Sequence, residues 1–256
     1  MGDFIKKVWD SSAETHKKSH WASWGDNYAI SLELQEIEKQ IKNNFKILDV
    51  GCSNGYAAFH HSKNNPTISI YGIDFSEKMI EYANERLLEE KLDNCKFTVG
   101  DIRKIDFPDN SFDLVYTTRV VINLQTWEEQ VQGILECIRV AKKGGIVVLS
   151  EAFWEPLNKL NAIRMIFGLH SLVEHDFNRY IKKNKLENKL NELNLTYTNI
   201  DFSSIYYLGS RVLRELVTDY QKYEGYSNPI NEIFYNIENK YSGGDIGIQQ
   251  IYIIKK

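Results

Sequence analysis

Between Phe45 and Glu151 short apolar runs alternate with segments whose apolar residues recur at helical spacing. The runs KILDVG (46–51), TISIYGID (67–74), CKFTVGD (95–101), FDLVYTT (112–118) and GIVVLSE (145–151) are four to eight residues deep and bounded by polar or glycine-containing stretches, which predicts strands. Between them, SEKMIEYANERLLEEKL (76–92) places Met79, Ile80, Ala83, Leu87 and Leu88 on one helical face, with Ser76 as a cap. WEEQVQGILECIRVAKKGG (127–145) repeats the pattern at Val131, Ile134, Leu135, Ile138 and Val140, and its glycine pair reads as the helix stop. Strand and helix in alternation predict an α/β fold: a Rossmann-like, mostly parallel sheet with helices on both faces.

The flanks carry other patterns. Residues 1–44 read as a helical lid, clearest at LELQEIEKQI (32–41). Beyond the core, 182–195 reads as a surface helix, 196–202 and 248–256 as strands, and SRVLRELVTDYQKY (210–223) as a helical run within a Tyr-, Asn-, Ser- and Gly-rich insertion. No repeat and no linker interrupts the chain. We therefore expect one domain over 1–256, with a lid (1–44), a ligand-binding core (45–151) and substrate-side decorations with a helical C-terminal insertion (152–256).

Composition narrows the class. A chain of 256 residues with 43% hydrophobic content can bury one sizeable core. The net charge of −4 and pI near 5.9 give no basic footprint, so no nucleic-acid partner is expected. No apolar run reaches the roughly 18 residues of a membrane span, and the N-terminus lacks an apolar signal core, so no membrane partner and a cytoplasmic location are expected. Cys52, Cys95 and Cys137 are sparse and match no zinc spacing; buried thiols in a reducing compartment, and no metal centre, are expected. Aromatic residues gather near both ends, which leaves a homodimer interface open.

Open parallel sheets bind ligands beyond the carboxyl ends of their strands. Gly51 and Gly55 in ILDVGCSNGY fall at the first such end, where glycine permits a tight turn and close approach to backbone N–H groups. Asp74 ends the second strand, where an acid can accept both hydroxyls of a ribose or simply meet a helix dipole. Asp101 ends the third, within reach of an adenine amino group. Asp49 lies inside an apolar strand, where a carboxylate needs a partner; it either organises the turn or reaches an ammonium.

Together ILDVGCSNG, YGIDFSEKMIEYA, FTVGDIRKIDFPDNSFDLVYTT and ECIRVAKKGGIVVLSE resemble class I S-adenosylmethionine-dependent methyltransferases, in order and spacing, over residues 45–151. The resemblance implies that Gly51 and its neighbours Asp49 and Cys52 carry the methionine part of the cofactor, Asp74 the ribose and Asp101 the adenine. It further implies that Phe75 and Met79 flank the adenine, that Ile102 offers a backbone amide, and that Thr118 and the lid residue Trp24 complete the cofactor site. Ser53 stands where a glycine is common, and Lys143 where a proline often precedes the glycine pair. S-adenosylmethionine has no pyrophosphate, so a serine in the turn disfavours a nicotinamide dinucleotide more than this cofactor.

The acceptor should lie past strands four and five. Arg119 and Asn123 are polar within an apolar run; Arg119 either pairs with an anionic substrate or is structural. Glu151 ends strand five and points to the same edge, making it a catalytic candidate. EHDFNRY (174–180) gathers His175, Asn178 and Tyr180, with His175 the candidate base because its ordinary pKa lies near neutrality. Tyr207 and Arg211 join them from the C-terminal insertion, while His60 and His61 read as surface residues. The expected function is methylation of a small polar metabolite, foremost O-methylation of a sugar, sugar nucleotide or polysaccharide or natural-product precursor. The alternatives are N-methylation of a small, possibly phosphorylated amine, and a non-catalytic binding module of the same fold.

Overall fold

The computed structural model describes residues 3–218, 226 and 228–256. Seven strands form one sheet in the order β3-β2-β1-β4-β5-β7-β6: β1 (Lys46–Val50), β2 (Ser69–Asp74), β3 (Cys95–Val99), β4 (Phe112–Thr118), β5 (Ala141–Ala152), β6 (Thr196–Asp201) and β7 (Gln249–Lys255). The first five run parallel; β7 is antiparallel to both β5 and β6. The order reverses between β1 and β4, so a crevice opens at the carboxyl ends of the strands there.

The helices are α1 (Asp3–His16), α2 (Asn27–Glu38), α3 (Tyr56–Asn64), α4 (Glu77–Glu90), α5 (Trp127–Val140), α6 (Trp154–Ile166), α7 (Lys183–Glu192), α8 (Ser204–Leu208), α9 (Arg214–Val217) and α10 (Pro229–Glu238). Capping sets several starts: the side chains of Asp26, Ser76 and Thr126 accept from the third N–H beyond them, at Ala29, Met79 and Glu129. The central strands are apolar along their length because helices cover both faces; Ile47, Leu48, Val50, Leu114, Val115, Val147 and Val148 are fully buried. Among the described residues no helix is long and apolar enough to cross a membrane.

Three sequence expectations change. The glycine pair does not stop α5, which ends at Val140; Gly144 (φ +76°) and Gly145 lie within the long β5, where the register against β4 shifts between Phe112 and Leu114. The run 210–223 becomes a π-helical turn at Gly209–Leu213 followed by α9, and residues 219–223 lie outside the described residues. His61 is not a surface residue: α3 turns it inward to full burial, edge-on to Tyr116 at 5.9 Å, while His60 stays exposed.

Candidate active site

The cavity at the sheet's carboxyl edge measures about 510 Å³. Its floor is the turn between β1 and α3. Gly51 (φ +73°) and Gly55 (φ +79°) take left-handed backbone, as glycine readily does. Ser53 takes it too (φ +51°), a conformation uncommon for a side-chain-bearing residue. Its hydroxyl lies 3.2 Å from the Met79 sulfur, and its N–H donates to Asp74 at 2.8 Å. A Cβ at Gly51 would meet Val120 Cγ2 at 2.2 Å, so the backbone is bare there because the next wall presses on it.

Asp74 joins this turn to the next helix. One carboxylate oxygen accepts from Ser53 N–H and the other from Ser76 N–H, each at 2.8 Å. An ionised carboxylate has about four acceptor sites, so these two bonds leave acceptor capacity in a residue that lines the cavity. Burial raises its pKa to about 6, opposed by those backbone bonds. Asp101 also lines the cavity, held from behind by Arg103 Nη2 at 2.6 Å and by Arg103 N–H at 2.9 Å; burial raises its pKa. Phe75, Met79, Ile102 and Thr118 line the same end, and Trp24 comes over it from the lid.

Two residues expected in the cofactor set stand behind the wall. Cys52 is buried under the turn, with burial raising its thiol pKa, and reaches the cavity only through its neighbours. Asp49 is fully buried within β1 and does not line the cavity. Neither of its oxygens makes a hydrogen bond of good geometry, although the Tyr116 hydroxyl faces it, and burial lifts its pKa to about 7.

Glu151 likewise turns inward. Its carboxylate accepts from Thr117 Oγ1 at 2.7 Å and from the N–H groups of Val120 and Val121 at 3.1 Å and Ile122 at 3.3 Å. It is fully buried, with its pKa raised to about 7 by burial, and it is absent from the cavity wall. Its place is that of an anchor for the loop after β4, the loop whose Val120 presses on Gly51.

The residues expected to serve an acceptor share the cavity with the cofactor candidates. Arg119, Asn123, His175, Asn178, Tyr180, Tyr207 and Arg211 all line the cavity. His175 is exposed and stacks on Phe177 at 5.3 Å. Asn123 donates to Asn178 at 2.8 Å and accepts from Trp9 Nε1 at 3.1 Å, so α1 is tied to the far wall.

What sequence reasoning missed is the pairing of both arginines. Arg119, itself in left-handed backbone (φ +58°), is ion-paired with the buried Glu33 of α2 and lies over the Trp24 ring at 4.9 Å. Arg211 meets the buried Asp26 at 2.5 Å and faces the rings of Tyr207 and Tyr226, each at 5.2 Å. An acid inside an apolar helical stretch, such as Glu33 in LELQEI, is the signal that a buried partner exists; no spacing rule reveals which one.

Comparison with known proteins gives the same picture. Residues 41–213 match a family model described as a methyltransferase domain. An uncharacterised methyltransferase of Schizosaccharomyces pombe is 38% identical over 120 residues, covering 44% of this chain and 42% of its own. Demethylmenaquinone methyltransferase of Staphylococcus aureus is 36% identical over 133 residues, covering 49% and 53%. The chain thus spans about half the length of these curated relatives. Among solved structures, the cyclase SpnF superposes with a TM-score of 0.60 at 17% identity over 99% of this chain and 93% of its own. Geranyl diphosphate C-methyltransferase from Streptomyces coelicolor does so with 0.54 at 15% identity over 88% and 77%. At such identities the likeness is one of fold.

Proposed function

The chain belongs to the methyltransferase-domain family, and on that premise we propose that it transfers a methyl group from S-adenosylmethionine to an uncharged small-molecule acceptor carrying an apolar ring. When bound, S-adenosylmethionine supplies a methyl group on a sulfonium. The chain's own residues fit that ligand: a turn whose Gly51 presents bare backbone to the cavity, the Asp74 carboxylate, and apolar Phe75, Met79 and Ile102 in the same lining. In this reading Asp74 accepts the ribose hydroxyls, Asp101 with Ile102 meets the adenine edge, and Trp24 and Thr118 close the methionine end. Asp49 and Cys52 act from beneath the turn, by shaping it.

The observation that carries the acceptor class is the neutralisation of the cavity's arginines. Arg119 and Arg211 are the arginines and lysines of its described lining, and each faces a buried acid. A phosphate or carboxylate on the acceptor would have to compete with Glu33 or Asp26 for a partner already desolvated, and would repel that acid. The cavity wall also includes the apolar side chains of Ile122, Leu157, Leu172, Phe177 and Ile248. The support is therefore strongest for a neutral acceptor, and it weakens the sugar-nucleotide and phosphorylated-amine options. Asn178, Tyr180 and Tyr207 provide the polar atoms that orient such a molecule. In this reading His175, exposed at the wall, takes the proton from a hydroxyl; an amine acceptor needs no such base.

The fold alone does not fix the reaction, as the cyclase among the structural neighbours illustrates. The test is a set of acceptors in matched neutral and phosphorylated forms, incubated with methyl-labelled S-adenosylmethionine, with calorimetry of S-adenosylmethionine and NADH alongside. Label should pass to neutral ring-bearing hydroxyl or amine compounds. Preferential labelling of the phosphorylated forms would overturn the acceptor class, and binding of NADH without S-adenosylmethionine would overturn the activity.

A further inference from the structure

Away from the cavity, the end of α2 meets α3 in a cluster that the proposed reaction does not use. Glu38, His60 and His61 each offer one ligand atom, and these atoms lie within 4.8 Å of one another. We propose that they bind one divalent transition cation, zinc being the best match, which ties α2 to the helix that follows the cofactor turn.

The argument begins at His61. Its ring is fully buried, yet neither nitrogen makes a hydrogen bond among the described residues. A buried imidazole without partners is expensive. Its surroundings supply the remaining donors. His60 Nε2 and Glu38 Oε2 stand 3.4 Å apart. Tetrahedral zinc with ligands at about 2.0–2.1 Å requires donors about 3.3 Å apart, so this pair already has the required separation. Only His61 has to draw closer. Its ring lies edge-on to that of His60 at 5.3 Å.

The side chains around the three donors support the same arrangement. Asn65 donates to Glu38 Oε1 at 3.1 Å, which fixes the carboxylate and leaves Oε2 for the cation. Asn64 contacts His60 Nε2 at 3.2 Å on the exposed side, a contact the cation would replace. His60 and Glu38 are partly open to solvent, which provides the route in and the fourth position for water. Two imidazoles and one carboxylate suit zinc better than magnesium or calcium, which prefer all-oxygen shells. The site escapes motif reading because adjacent histidines on a helix diverge by about 100° and the third donor comes from another helix.

The test uses the whole chain, stripped with a chelator and titrated calorimetrically with zinc chloride in the absence of S-adenosylmethionine, so its outcome is independent of the methyl-transfer reading. One equivalent should bind. Saturating zinc should raise the melting temperature by roughly 5 °C, and cobalt(II) should give the intense visible bands of a four-coordinate centre. His60→Ala and Glu38→Gln, both at partly exposed positions, should keep the native circular dichroism and lose at least tenfold in zinc affinity. His61→Phe should abolish binding. Absence of stoichiometric zinc binding, or equal affinity in the His60→Ala and Glu38→Gln variants, would overturn the proposal.

Discussion

A methyl group at position 51 has nowhere to go. Gly51→Ala places its Cβ against Val120 in backbone that favours glycine (φ +73°). The left-handed conformation alone costs about 1–2 kcal/mol for an alanine. The expected result is a lower melting temperature and loss of measurable S-adenosylmethionine binding by calorimetry. Adding Val120→Ala should recover part of the stability by removing the clash but not the backbone strain. Asp74 gives a second outcome at this scale. Asp74→Asn replaces one accepting oxygen by an NH₂ that confronts a backbone N–H, at either Ser53 or Ser76. Losing a bond to a charged acceptor costs about 1.5–3 kcal/mol, so cofactor affinity should fall roughly 10- to 100-fold; an unchanged Kd would remove Asp74 from the ribose role. Gly51 and Asp74 are legible in the sequence because each is required locally, by a turn and by a strand end. The inward turn of Glu151 and Asp49 was not legible, because facing the cavity or the loop is decided by neighbours brought in from β4.

Elements were legible where their periodicity is enforced by burial. The alternating runs and the helical faces of α4 and α5 follow from one buried side per element, so strand positions agree with the sequence to within a few residues. The glycine pair misled because a helix stop and a strand irregularity ask for the same residue, and only the register against β4 distinguishes them. The interlocking of α2 with later elements was invisible, since the polar contacts that make it join residues far apart in sequence. Asp26 caps α2 at Ala29 while also accepting from Tyr206 and Arg211, and Glu33 holds Arg119, Ser150 and Gln249. Removing one partner of a buried pair typically costs about 3–5 kcal/mol. Glu33→Gln should therefore lower the urea midpoint markedly with little change in m-value. It should also free Arg119, so that phosphorylated compounds bind the variant more tightly than the native chain. A variant of native stability would show that the pair is not a structural clasp.

At the scale of the molecule, the acids of the cavity region link its stability to pH. Asp49 and Glu151 have pKa values raised to about 7, and Asp74 to about 6. Raised above their unfolded values near 4, they hold protons more tightly when folded, so the folded state binds more protons across about pH 4–7 and stability declines as pH rises through that window. The ligand-free protein should accordingly melt at a higher temperature at pH 5.5 than at pH 7.5. Cofactor affinity should run the other way, weakening below about pH 6 as Asp74 gains a proton and loses one of its accepting sites. The N-terminal segment expected to act as a lid bears on how a ligand reaches these groups. Trp9, Ser23 and Trp24 lie over the cavity, and Asn54 in the turn holds the lid backbone through Lys17 and Ser19, each at 2.8 Å. As a lid, α1 is expected to move aside for the ligand to pass and to return once it is seated. Hydrogen exchange in residues 3–24 should slow on addition of S-adenosylhomocysteine, while exchange in β1 and β4, buried in both states, should change little. Equal protection of the lid with and without ligand would mean that the cofactor arrives by another route, past the loop that carries His175 and Asn178.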